Sequence, residues 1–143
     1  MELPAEMIGQ SVAEGHIYNF KSDCPIGIKG HMHVCIKHHG RYLIFSTCSS
    51  QVTKSIQLAR LRGYNVNTYP VIAPDASNCL SELTYINCNQ VWEMTEKEFG
   101  DLYKAGLITD TKGGGQMDAN SMSLIVNGIK LSTEIPDNIK ELF

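Results

Sequence analysis

Long apolar runs are missing from this chain. Stretches such as Leu43 to Phe45 cover only a few residues, far below the ~20 needed to span a membrane as a helix, so no membrane insertion is expected. The N-terminus, Met1 to Glu6, is acidic and has neither the basic nor the apolar region of a secretory leader, so a cytoplasmic location is expected. The cysteines are few and odd in number. Cys24, Cys35, Cys48, Cys79 and Cys88 contain no CxxC pair, and that arithmetic suits neither a closed disulfide framework nor a structural zinc site. They read as small buried hydrophobes in a reducing compartment. Repeats and low-complexity segments are also absent. Charged residues make up only 19%, against 43% hydrophobic, which argues against disorder and is enough for a core. A length of 143 residues suits a single domain.

Net charge is −3, which by itself argues against nucleic acid. Its distribution argues the other way. Between Cys24 and Pro74 stand Lys29, Lys37, Arg41, Lys54, Arg60 and Arg62, four of the five histidines, and no Asp or Glu. The remainder holds the other six cations and all 15 acids. Such segregation makes one face attractive to phosphate, provided that folding gathers the run in space.

Strand signals dominate the first two thirds. His16 to Phe20 alternates after Gly15. A loop from Ser22 to Gly30 follows. In Met32 to Lys37, Met32, Val34 and Ile36 share one face, and His31, His33 and Cys35 the other. His38 to Arg41 reads as a hairpin turn and Tyr42 to Thr47 as the returning strand. Val52 to Leu61 reads as a short helix or irregular loop ended by Gly63. Asn67 to Ile72 is another strand, with Pro70 at an edge or bulge, and Asp75 to Asn78 a turn. Leu83 to Cys88 and Gln90 to Met94 read as one long or bent strand. Thr95 and Glu98 then form a capping box that opens a helix to about Ala105, with Gly106 beyond it.

Thr109 to Gln116 contains three consecutive glycines and reads as a linker. Asp118 can cap a helix from Ala119 to Asn127, stopped by Gly128, and Asp137 starts a last turn. The expectation is a single domain, mainly β with added helices: an antiparallel barrel over about 14–108, the linker over 109–116, and a helical extension over 117–143.

Four segments in order carry a family likeness. Glu14 to Phe20 resembles the opening Gly-Asp-Ile strand of the MazF/PemK-like toxins of type II toxin–antitoxin pairs. Lys29 to Ile36 resembles their Gly-x-Arg-Pro-x-Val-Val strand. Thr47-Cys48-Ser49-Ser50-Gln51 is similar to their Cys-Thr-Thr-Gln strand end. Ile86 to Val91 is similar to their Asp-Gln-Val strand, which also precedes a helix. The likeness covers roughly residues 14–108. It implies a small SH3-like antiparallel barrel, a homodimer held silent by a cognate antitoxin, and cleavage of single-stranded RNA without a metal or other cofactor. The gyrase-poisoning CcdB-like toxins share this kind of barrel, so the fold does not dictate the reaction.

In that chemistry the RNA 2′-OH attacks the adjacent phosphate and leaves a 2′,3′-cyclic phosphate. One group must take the proton, and others must stabilise charge on the phosphoryl oxygens. Ser49 aligns with the family's catalytic Thr, with Ser50 and Gln51 beside it. Met32, however, stands at the family's Arg position and His33 at its Pro. Met carries no charge and cannot clamp phosphate. Either His31 or His33 substitutes as acid–base group, or Arg41, Arg60 or Arg62 reaches in. Strand alternation puts both histidines opposite Met32, so the first substitution calls for a bulge or a register slip. The candidate catalytic residues are therefore His31, His33 and Ser49. The candidate RNA-binding residues are Lys29, Lys37, Arg41, Ser50, Gln51, Lys54, Arg60 and Arg62. Blander readings stand beside these: a solvent-facing histidine pair, a serine turn at a strand end, and Tyr18, Phe20, Tyr85 and Trp92 as core. The alternative function is a non-catalytic nucleic-acid- or protein-binding module on the same barrel.

Overall fold

A computed structural model of the chain describes residues 3–20 and 31–143. Cys24, Lys29 and the loop expected over Ser22 to Gly30 lie outside the described residues. The elements are α1 (Ala5–Gln10), β1 (Ile17–Phe20), β2 (His31–His39), β3 (Tyr42–Ser49), α2 (Val52–Arg62), a 3₁₀ turn (Val66–Thr68), β4 (Val71–Ile72), β5 (Thr84–Ile86), β6 (Trp92–Thr95), α3 (Glu96–Lys104), β7 (Thr109–Asp110), α4 (Ala119–Leu131) and α5 (Asp137–Lys140). The described strands form one antiparallel sheet in the order β4-β5-β3-β2-β1-β7, with β6 also on β3. Among the described residues no ladder joins β4 to β7. None of the described helices is long and apolar enough to cross a membrane.

The sheet is covered on both faces. Ile17, Val34, Ile36, Ile44 and Cys48 pack with Ile125 and Ile129 of α4 and Ile139 of α5. On the other face Tyr18, Phe20, Cys35, Leu43 and Phe45 pack with Val12, Ile108 and Phe99 of α3. That is why Val34 to Ile36 and Leu43 to Phe45 are continuous apolar runs within otherwise alternating strands. The C-terminal helices thus close one of the two cores.

Residues 109–116, read as a linker, are stitched into the sheet. Thr109 and Asp110 pair with β1, and His16 bridges Gln116. Gly115 is buried against the Asn78 carbonyl, where a Cβ would collide with it. Likewise α4 runs through Gly128, because a Cβ there would meet Cys88 Sγ and the Asn67 carbonyl. The Thr95 cap is as expected: its hydroxyl accepts from the Glu98 amide at 3.1 Å. Gly63 ends α2 with φ +70°.

Three further features differ from expectation. Of Asn67 to Ile72 only Val71 and Ile72 are strand; Asn67 and Thr68 belong to the 3₁₀ turn, whose Asn65 cap accepts from the Asn67 amide at 2.9 Å. Residues 83–94 split into two strands because β3 is shared: Tyr42 to Phe45 pair with β6, and Cys48 and Ser49 with β5. Helix α1 was not expected. It crosses α3 at a contact where Gly9 faces the Glu96 backbone and Gly100 faces the Ala5 carbonyl, with no room for a Cβ at either position.

Candidate nucleic-acid interface

The expected catalytic residues lie where β1, β2, β3 and β5 end together. Phe20 pairs with His31, and Ser49 pairs with Tyr85. The β2–β3 register pairs His33 with Thr47. Continued by two residues, it brings His31 level with Ser49. Residues directly opposite in an antiparallel pair share a face. On that continuation Phe20, His31, Ser49 and Tyr85 fall in one cross-strand row, and Tyr18, His33 and Thr47 form the row behind.

His31 is exposed and Ser49 half-buried. His33 is fully buried and stacks on Phe20, with 3.7 Å between ring centroids. Its Nδ1 lies 2.8 Å from the His31 carbonyl. A carbonyl only accepts, so that nitrogen donates, and His33 anchors the strand end that carries His31. Trp92 Nε1 donates to Thr47 Oγ1 at 3.1 Å, fixing a half-buried indole beside the same rows.

The alternation of His31, Met32 and His33 holds. Met32 packs toward the α4 core while His33 faces Phe20. A bulge is present, but at Ile36, where the register shifts between Cys35 and Lys37. It therefore does not bring Met32 onto the histidine face.

Directly after Ser49 the chain enters α2. Ser49 Oγ accepts from the Gln51 amide at 3.3 Å. Gln51 provides no side-chain cap, and the first turn holds Lys54 and no acid. A helix N-terminus without a capping side chain presents amide donors and a partial positive charge, which together suit phosphate oxygens. Ser50, Gln51 and Lys54 are exposed at this end.

The other cations are dispersed. Arg41 lies at the hairpin, at the far end of β2 and β3, and eight residues of strand span about 26 Å. Lys37 faces a groove of about 670 Å³ between β2 and α4, with its amine 5.7 Å from the Phe143 ring centroid. Arg60 and Arg62 are exposed at the end of α2 away from Ser49. Arg62 contacts the Tyr64 phenol, whose hydrogen bond to the Glu134 carboxylate holds it above its ordinary pKa.

Neither protein-family models nor curated proteins match this chain.

Burial pushes the Cys48 thiol behind Ser49 up to about 12, and burial does the same to Cys35. These thiols act as packing groups and not as nucleophiles at neutral pH. Sequence reading assigned Phe20, Tyr85 and Trp92 to core and missed their place at this end of the sheet. No sequence signal gave this, because the Ser49–Tyr85 pairing joins residues 36 positions apart through strand packing.

Proposed function

We propose that the chain is a MazF/PemK-like toxin, a metal-independent endoribonuclease acting on single-stranded RNA. What carries the reading is the β2–β3 register, which ends at His33 opposite Thr47 and, continued by two residues, sets His31 level with Ser49, just before an N-terminus of α2 that has no side-chain cap. His31 takes the proton of the 2′-OH as that oxygen attacks the adjacent phosphorus. The Ser49 hydroxyl, the Thr53 and Lys54 amides of α2 and the Lys54 ammonium hold the phosphoryl oxygens as charge builds on them. The P–O5′ bond breaks, leaving a 2′,3′-cyclic phosphate, and the 5′-oxygen takes a proton from water. His33 is a positioning residue.

The change of partner along β3, from β6 to β5, supports the SH3-like barrel, since such switches make the corners of small β folds. The resemblance further proposes a cytoplasmic homodimer with a cognate antitoxin. Light scattering at roughly tens of micromolar tests the dimer, because assembly depends on protomer concentration.

The test is incubation with long single-stranded RNA in EDTA, with the product ends mapped. Cyclic phosphate and 5′-OH ends are expected. His31→Ala should lower the rate roughly 10²- to 10⁴-fold. Ser49→Ala should cost about fivefold, as for one neutral hydrogen bond of about 1 kcal/mol. Undiminished cutting by His31→Ala would overturn the assignment. The second reading, a binding module that does not cut, is favoured by Met32, which packs into the core where the family's arginine would act. It predicts binding of RNA with no new ends.

A further inference from the structure

We infer that Tyr85 is the stacking platform for the base next to the phosphate held at Ser49, which makes the ligand a single strand with an unpaired base there. This rests on the nucleic-acid reading of the site. Ser49 and Tyr85 are direct partners across β3 and β5, so their Cβ atoms lie about 5 Å apart on one face. A base attached to a nucleotide whose phosphate meets Ser49 therefore falls beside the Tyr85 ring.

The ring is built as a platform. It is half-buried and packs edge-to-face on the buried Tyr69, with 5.7 Å between centroids and 71° between planes. Among the described residues, no hydrogen bond engages its hydroxyl. A ring fixed by packing loses little entropy when a base stacks on it. Stacking also tolerates any base, because every base has a π-face. A duplex keeps its bases stacked on each other and leaves none for the ring.

The experiment measures binding of a labelled 2′-O-methyl RNA strand, which has no free 2′-OH to react, by anisotropy. Wild type, Tyr85→Phe and Tyr85→Leu are compared, and a single abasic position is moved along the strand. The emission of Trp92, the chain's one tryptophan, verifies that each variant is folded. Tyr85→Phe should bind like wild type. Tyr85→Leu should bind roughly 5- to 150-fold more weakly. One abasic position should weaken wild type by a similar factor and Tyr85→Leu no further. That abasic scan uses wild-type protein, so it stands even where Tyr85→Leu fails to fold: a scan with no sensitive position overturns the inference. Equal losses in Tyr85→Phe and Tyr85→Leu would assign the effect to the hydroxyl and overturn stacking. Wild-type affinity in a folded Tyr85→Leu would overturn Tyr85 alone and leave the nuclease reading standing. A wild type that neither binds nor cuts any single strand removes both.

Discussion

Replacing His38 should loosen two helices from the sheet at once. Its ring spans three segments: Nδ1 lies 2.7 Å from the Val12 carbonyl that follows α1, and Nε2 lies 2.7 Å from Glu96 Oε2 at the start of α3. Its backbone N–H donates to Glu14 Oε2 at 2.9 Å. The His38 and Glu96 side chains are 18% and 12% exposed, so water replaces the lost partner poorly. A hydrogen bond to a charged group is worth about 1.5–3 kcal/mol and a neutral one about 1 kcal/mol. His38→Ala should therefore cost about 2–4 kcal/mol. At about 4 °C per kcal/mol for a chain of this size, Tm should fall roughly 8–16 °C. Urea unfolding followed by circular dichroism at neutral pH measures this. Glu96→Ala and the double variant complete a cycle, in which the double loss should fall short of additivity by at least ~1 kcal/mol. A His38→Ala cost within about 0.5 kcal/mol of zero, the scale of ordinary surface substitutions, would refute the latch, as would strict additivity with Glu96→Ala.

Gly100→Ala should destabilise the protein although alanine favours helix by about 1 kcal/mol, because its methyl would strike the Ala5 carbonyl of α1. Amide exchange over residues 5–12 should accelerate, and a stabilised variant with α1 still protected would contradict the close crossing. Burial raises Cys35 and Cys48 from the ordinary 9.0 to about 12. Between those values the native state keeps protons that the unfolded chain releases. Their stabilisation is thus full below pH 9 and declines as pH rises above it, by up to ~1.4 kcal/mol per pH unit per thiol. Urea midpoints at pH 8 and pH 10 measure the decline, and alanine at both positions should flatten it. At pH 8 a thiol reagent should tag the exposed Cys79 and spare Cys35, Cys48 and Cys88; equal labelling of all four would contradict the packing.

Local chemistry was legible wherever a residue's partner lies within a few positions. The Thr95 cap, the Gly63 stop and the alternation of His31, Met32 and His33 are of this kind. What escaped depends on distant partners. Helix α1 has no side-chain cap and forms against α3 through paired glycines. Gly115 and Gly128 read as breakers, yet each is the residue that fits beneath a neighbouring backbone. The run of cations from Lys29 to Arg62 read as one patch. Among its described members, strand length carries Arg41 to the far end of the hairpin, and Lys37 faces the other side of the sheet.

The sequence by itself determined strands β1 to β3, their alternation and the caps at Thr95 and Asp118, because these follow from side-chain periodicity and from hydrogen bonds made within a turn. Only the tertiary structure decided the register of β2 on β3. The hairpin sets His39 opposite Tyr42, and an unbroken ladder from there would carry His31 to Ser50. It would keep His38 opposite Leu43 and turn Cys35, His33 and His31 toward α4. The extra residue at Ile36 lets Ile36 and Lys37 both face the α4 groove, so that His38 reaches Glu96 while Cys35 and His33 stay on the same face, with His33 opposite Thr47. Cys35, Ile36 and Lys37 carry no local signal for a bulge. Packing on both faces of the sheet selects it, since only that register satisfies the two cores together.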